Sequence, residues 1–256
     1  MIIVIDGINA HQYTGLLKQV FELRARVFRD RLGWDVEVVD GQERDHFDDL
    51  YPTHIVSLDD QGRVAGAMRL LQTTGPNMLA DVFHAILQGQ SAPRSPQIWE
   101  ATRFCVDTDT LERGKSRNSI SYVTSEVMVG AFEYARQAGV EDAVAVIDPI
   151  MNRVLKRSCN APYDYLGKAT PMGKVTAMAA LMDCSEERIK AVREFAGIEG
   201  DVFYEEDVAL ELFGDKVEAL GCSTEDYQAY MSEQLQNARN DADLLDALKL
   251  IAELEK

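Results

Sequence analysis

The sequence predicts an α/β (α+β) domain over residues 1–200, a mixed sheet flanked by helices, followed by an acidic helical extension over residues 201–256. Three observations carry this. Strand-like segments recur between residues 53 and 182, the strongest being Ile98–Val106 and Asp142–Ile147. Segments with apolar residues three and four apart intervene, chief among them residues 116–138. After about residue 200 the strand signals stop and the charge changes: residues 1–174 carry 19 Lys+Arg against 23 Asp+Glu, whereas residues 175–256 carry 7 against 20.

Each element has its own signal. Leu16, Val20, Leu23, Val27 and Phe28 predict an amphipathic helix over 9–32, broken near Thr14–Gly15 and stopped at Gly33. Residues 34–50, rich in Asp and Gly, predict an irregular loop. Strands are expected at Thr53–Leu58 and 63–71, joined by the hairpin signal Asp59-Asp60-Gln61-Gly62. Residues 76–87 predict a loop leading into a short helix with Val82, Phe83 and Ile86 inward. In Ile98–Val106 alternation places Glu100, Thr102 and Phe104 on one side and Trp99, Ala101, Arg103 and Cys105 on the other. A long helix over 116–138 ends at Gly139, and the Val/Ala run Asp142–Ile147 reads as a buried strand. A helix over 149–159, strands at 163–166 and 174–182 and a helix over 186–195 complete the domain. Acidic helices over 202–221 and 224–256 follow. The second carries the stripe Leu244, Leu245, Leu248, Ile251 and Leu254, which packs on the domain or forms a homodimer interface.

Composition narrows the function. The net charge of −17 disfavours nucleic acid as a partner. The start MIIVIDGIN is too short for a signal peptide, and no apolar run reaches the ~18–20 residues of a membrane span, so a cytoplasmic protein is expected. Four scattered cysteines and four histidines show no metal-ligand spacing, so no metal is expected. The G-x-S-x-G elbow, the phosphate-binding Walker loop and the dinucleotide-binding G-x-G-x-x-G are absent.

What remains is charge. Arg24, Arg26, Arg29 and Arg31 crowd around Phe28 and Trp34, and Glu43, Asp45 and Asp48 follow. Arg69, Glu100 and Arg103 sit inside predicted strands, where a charge is costly unless paired. Two readings stay open on the residues alone. One is a structural ion-pair network; the other is a cleft for a zwitterion, with carboxylates for its ammonium and an arginine for its carboxylate.

The chain resembles the acyl-homoserine lactone synthases of the autoinducer-synthase family. The resemblance rests on Leu23-Arg24, Val27-Phe28, Arg31-Leu32-Gly33-Trp34, Gly41, Glu43, Asp45, Phe47 and Asp48. It continues through Arg69-Leu70, Pro76-Asn77-Met78-Leu79, Phe83, Trp99-Glu100 and Arg103-Phe104. It is close over residues 15–107, looser over 108–200 and faint beyond. It implies a fold like the GNAT acetyltransferases, with a V-shaped cleft in the sheet. It implies S-adenosylmethionine as a substrate, with no separate cofactor, and an acyl chain carried by acyl carrier protein or coenzyme A. The amine would be acylated, and lactonisation would then release 5′-methylthioadenosine.

On this resemblance Glu43 is the expected base. Asp45 and Asp48 hold Arg24 and Arg69, and Arg103 binds the substrate carboxylate or organises the cleft with Glu100. Arg24, Phe28, Trp34 and Phe83 enclose S-adenosylmethionine, and a backbone N–H around Arg103–Cys105 holds the thioester oxygen. Val123, Met128, Val144, Ala145, Val146, Met151 and Leu155 are the expected acyl pocket. Ala145 stands where many 3-oxo-acyl members carry Thr, which favours an unsubstituted or 3-hydroxy chain. Arg153, Lys156 and Arg157 would dock the acidic carrier. The alternative is a GNAT-like N-acyltransferase that acylates another amine without lactonising.

Overall fold

The computed structural model describes residues 1–111, 116, 119–173 and 175–215. Its centre is a seven-stranded sheet. The strands are β1 (Ile2–Ile5), β4 (Thr53–Leu58), β5 (Val64–Gln72), β6 (Ile98–Val106), β7 (Asp142–Ile147), β8 (Asp164–Met172) and β9 (Val175–Asp183). Their order is β1-β4-β5-β6-β7-β9-β8. Only β6 and β7 are parallel neighbours; the other pairs are antiparallel. A separate two-stranded ribbon, β2 (Val38–Val39) and β3 (Gln42–Glu43), interrupts the loop expected to be irregular. The mixed sheet flanked by helices is as expected. No element was expected at the first residues, but Ile2–Ile5 pairs with His54–Ser57 and forms one edge of the sheet.

Alternation along the strands builds two different faces. On one lies the long helix α3 (Ile120–Gln137), which Ser119 caps by accepting from Tyr122 N–H. Its Val123, Val127 and Phe132 pack with Ile55, Met68, Leu70, Ala143 and Ala145. On the other face lies α1 (Thr14–Arg24), whose Leu16, Val20, Phe21 and Leu23 meet Ile3, Ile5, Val56 and Ala67. Further along that second face a smaller cluster joins Leu79, Ile86 and Leu87 to Val144, Ala177 and Ala179. It forms under α2 (Met78–Asp81) and the turn His84–Leu87. Ile86 is buried as expected, whereas Val82, also expected inward, is 42% exposed because the chain leaves α2 there. Among the described residues no helix is long and apolar enough to cross a membrane.

The remaining elements are α4 (Pro149–Arg157), α5 (Glu186–Ala196) and α6 (Glu206–Phe213). Residues 201–215 bond to the start of the domain. Val202 C=O accepts from Ile2 N–H at 2.7 Å, and the Asp215 carboxylate accepts from Thr14 N–H (2.6 Å) and Gly15 N–H (3.0 Å), capping α1. Met1–Asp215 form one compact unit. The expected helix over 224–256, with its leucine stripe, lies outside the described residues.

One glycine holds the edge of the sheet to the smaller cluster. Gly167 has φ +63°, and a Cβ there would stand 2.0 Å from the Ile86 carbonyl oxygen. Gly167→Ala is therefore expected to cost about 2 kcal/mol or more. The check is a lower urea midpoint at unchanged slope; an unchanged midpoint would mean that β8 can move away from Ile86 freely.

Candidate active site

Three devices bring the charged residues together. The first is the exit of α1. Arg24 closes its last turn, and the chain continues as a π-helix over Ala25–Arg31, with Leu32 N–H donating to Val27 C=O at 3.0 Å. π-Turns are rare and recur at functional sites. Gly33 (φ +64°) then folds the chain back, and Trp34 N–H donates to Phe28 C=O at 2.8 Å. Trp34 thereby stacks on Phe28, with ring centroids 5.1 Å apart and planes 16° apart.

The second device is the short stretch after it. Asp40 (φ 51°) and Gly41 (φ 79°) form the turn between β2 and β3, which delivers Glu43. Two residues on, Asp45 and Asp48 form a reciprocal cap on the turn His46–Asp49. Asp45 accepts from Phe47 N–H (3.0 Å) and Asp48 from Asp45 N–H (2.9 Å). Both carboxylates keep oxygens for other donors.

The third device is a bulge in β6. Ala67 pairs with Cys105 and Arg69 with Thr102, so Arg103 and Phe104 together oppose Met68. Arg103 takes the extra residue at φ 52°, a left-handed conformation uncommon outside glycine. This corrects the simple alternation expected for the strand. The added residue shifts the phase, so Arg103 joins Glu100 and Thr102 on the α1 side while Phe104 packs toward the α3 side. The β6–β7 ladder pairs Ile98–Glu100 with Asp142–Val144 and goes no further. Beyond Glu100 the two strands part, the V-shaped opening that the resemblance implies.

The arginines and carboxylates form one network. Arg24 donates through Nε to Glu43 (2.5 Å) and through both Nη atoms to Asp48 (2.8 and 2.9 Å). Arg69 grips Asp45 with both Nη atoms (2.6 and 3.0 Å), reaches Asp48 (2.7 Å) and donates through Nε to Thr102 Oγ1 (3.1 Å). Arg103 bonds Glu43 (3.1 Å) and Asp45 (2.7 Å). Arg24, Glu43 and Arg69 are each 1% exposed, so each charge depends on these partners. Three arginines meet three carboxylates, and the set is neutral. Burial favours a neutral Asp45 and Asp48, but Arg69 and Arg103 around the first, and Arg24 and Arg69 around the second, hold both below the usual aspartate range. Burial opposes the Arg24 charge as well, and Asp48 and Glu43 more than restore it. Behind the network burial pushes His54 down to about 3, against the pull of Asp48, which leaves it neutral.

Glu100 stands apart. It is 0% exposed, and it accepts from Met78 N–H and Leu79 N–H at 2.7 Å each. Burial pushes its carboxyl up to about 7, against the pull of those two N–H groups and of Arg69. Met78 links it to the network, because its Sδ lies 3.3 Å from Arg69 Nη2 and 3.4 Å from Arg103 Nη1.

The expected residues are thus partly assembled. Arg24, Glu43, Asp45, Asp48, Arg69 and Arg103 share one network, and Glu100 borders it. Arg24 lies inside the network, with all three guanidinium nitrogens bonded, and the Phe28 ring sits 5.6 Å from the Arg103 guanidinium. Phe83 packs against both Phe47/Met78 and the Leu79/Ile86 cluster. The residues expected for the acyl pocket divide between the two faces of the sheet. Val123, Met128, Ala145 and Leu155 are buried on the α3 side with Met151 against them, whereas Val144 and Val146 face the Leu79/Ile86 cluster. Arg153, Lys156 and Arg157 are exposed on α4 and have no ion pair among the described residues. Arg26 and Arg31 instead tie the π-turn to the end of β6, through Asp107 (3.1 Å) and through Val106 C=O (3.4 Å) and Thr108. The sequence alone assigns no role to Thr102, Met78 or Asn77, although alternation places Thr102 on the side of Glu100.

A cavity of about 370 Å³ lies at the strand ends, lined in part by Tyr51, Pro76, Leu71 (the register partner of Glu100 on β5) and Trp99 (its neighbour along β6). A larger one, about 450 Å³, runs along α5 by Ile189, Arg193 and Ile198 and contains none of the network.

The fold is shared with solved relatives. The family model described as autoinducer synthase matches residues 9–192. An acyl-homoserine-lactone synthase of Agrobacterium fabrum is 33% identical over 191 residues, covering 75% of this chain and 90% of its own. Among solved structures the chain is similar to the acyl-homoserine lactone synthase LasI, at 30% identity and TM-score 0.64, covering 78% of this chain and 98% of that one. It is also similar to BjaI, a CoA-dependent acyl-homoserine lactone synthase solved with S-adenosylmethionine and isopentyl-CoA, at 25% identity and TM-score 0.68, covering 83% and 99%. A match over most of the domain, carried on the same sheet and helices, establishes that the chain belongs to the autoinducer synthase family.

Proposed function

We propose that the protein makes an acyl-homoserine lactone from S-adenosylmethionine and an acyl thioester, and that Glu100 takes the proton. The observation that carries this assignment is the contrast between two buried carboxylates. Glu43 is already shared by Arg24 and Arg103, whereas Glu100 lies outside the neutral network and titrates near 7. A base works best when its proton affinity lies near the working pH. The expectation that Glu43 is the base therefore gives way to a framing role for that residue.

In this reading the methionyl ammonium gives one proton to Glu100, and the freed amine attacks the thioester carbonyl. The oxyanion is held by backbone N–H groups of β6 where it parts from β7. Its collapse expels the thiolate, which takes the second amine proton, and an amide forms. The methionine carboxylate then attacks its own γ-carbon, the C–S bond breaks and neutral 5′-methylthioadenosine leaves. Trp34, half-buried and backed by the stacked Phe28 ring, offers its outer aromatic face to the sulfonium. Arg103, the least buried of the three arginines at 11% side-chain exposure, is placed to meet the substrate carboxylate. Release of 5′-methylthioadenosine on mixing the protein with S-adenosylmethionine and hexanoyl-CoA or hexanoyl-acyl carrier protein tests the proposal. Amide formation without that release would indicate simple N-acylation.

The donor is either carrier-borne or CoA-borne, and the exposed face of Arg153, Lys156 and Arg157 suits an acidic carrier. Reversing all three to Glu is expected to raise the KM for hexanoyl-acyl carrier protein about 10-fold or more and to leave turnover at saturation unchanged. An unchanged KM would remove this face from docking.

A further inference from the structure

We propose that Asn77 is a positioning residue: it holds the two backbone N–H groups that grip Glu100 and so sets the pH at which Glu100 accepts a proton. This rests on the reading of Glu100 as proton acceptor. Asn77 is 1% exposed and reaches no other site residue through its side chain. Its amide instead stitches together the turn that leaves β5. Its Nδ2 donates to Gly75 C=O (3.0 Å) and Thr73 C=O (3.4 Å), and its Oδ1 accepts from Ala80 N–H (3.1 Å). Its own N–H donates to the Asp81 carboxylate (3.1 Å). Thr73 is anchored in turn, its single hydroxyl proton lying within reach of Ile98 C=O (2.6 Å) and Ser95 C=O (2.9 Å) and its Oγ1 accepting from Ser95 N–H (3.1 Å) beside β6. The next two residues, Met78 and Leu79, are the ones whose N–H groups meet Glu100. A four-residue segment as short as α2 has little helical stability of its own. The direction of those two N–H groups therefore depends on the side chain that ties the segment down.

The charged groups around Glu100 set the sign. Arg69 favours its ionised form and Asp81 disfavours it. The Met78 and Leu79 N–H groups favour the ionised form strongly, as donors to carboxylates do. Removing the Asn77 amide lets both N–H groups drift. The ionised form loses support, and proton acceptance moves to higher pH.

The test is the pH profile of kcat/KM for S-adenosylmethionine, with hexanoyl-CoA and hexanoyl-acyl carrier protein as donors. Asn77→Ala is expected to move the acid limb up by about one pH unit while activity above the limb stays close to wild type. Asn77→Ser keeps an oxygen for Ala80 N–H and is expected to return the limb most of the way. If Asn77→Ala fails to fold, Asn77→Gly takes its place, because glycine starts a helix at little cost yet carries no amide. A limb that stays put in Asn77→Ala or Asn77→Gly, with Glu100→Gln inactive, overturns the inference alone. A Glu100→Gln variant that keeps its rate overturns the proton-acceptor reading beneath it. Absence of 5′-methylthioadenosine from the wild type with both donors overturns the synthase reading.

Discussion

Glu100→Gln is expected to lower turnover by about 100- to 10,000-fold, the range that general-base catalysis supplies, while the protein stays folded. Glutamine has nearly the same shape but a single acceptor oxygen, so it can accept from only one of Met78 and Leu79 N–H, which reach different oxygens of the native carboxylate at 2.7 Å each. It cannot accept a proton from an ammonium. Because the native carboxyl titrates near 7, wild-type activity should rise as pH increases through that value. Stability should move the other way. A glutamate whose proton affinity is raised by folding favours the folded state less as pH climbs from its unfolded value toward 7. Glu100→Gln removes that titration, although its NH2 faces one of the two N–H donors, so the variant's melting temperature should fall less than the wild type's between pH 5 and pH 8. The paired measurement is 5′-methylthioadenosine release against melting temperature. Wild-type-like turnover would move the base elsewhere, with Glu43 next in line.

Arg69→Ala is expected to fail for a different reason. Arg69 bonds Asp45, Asp48 and Thr102 from a position 1% exposed, and its loss leaves the buried Asp48 carboxylate and the half-buried Asp45 short of a partner. Breaking one side of a buried ion pair costs about 3–5 kcal/mol. Loss of activity should therefore come with a lower urea midpoint. The deficit should depend on pH in a defined direction. Asp45 and Asp48 have folded proton affinities below their unfolded ones, so their contribution is fully present above the ordinary aspartate range. It drains away as pH falls through that range and below it. Wild type and Arg69→Ala should thus converge in stability as the solution is acidified. A gap that stays constant down to strongly acidic pH would mean that the arginine acts through packing, for instance against Phe47, whose ring lies 5.6 Å away.

Much of the fold is legible in the residues. Thr53–Leu58, Ile98–Val106 and Asp142–Ile147 are strands with the bounds their alternation and β-branching indicate. Asp40-Gly41 was a readable hairpin signal as well, hidden because the flanking strands are only two residues long. Other features had no local signal. A π-turn over Ala25–Arg31 has nearly the apolar spacing of an α-helix, so periodicity cannot separate the two. The bulge at Arg103 depends on which residues of β5 it faces, a matter of tertiary register. In the site, the kinds of residue were readable and their partners were not. Glu43 and Glu100 look alike in sequence. What distinguishes them is that the β2–β3 turn carries one to two arginines and β6 carries the other to two backbone N–H groups.

The bulge has one more consequence. A strand is a two-stroke pattern, and an inserted residue resets its count. Upstream of Arg103 the odd positions of β6 serve α3 and the even ones face the opposite side; downstream the assignment is exchanged, so that Phe104 packs toward α3 and Cys105 toward α1. The same extra residue lies on the stretch of β6 that has left β7. Restoring strict alternation there would turn the Arg103 guanidinium to the α3 side, away from Glu43 and Asp45.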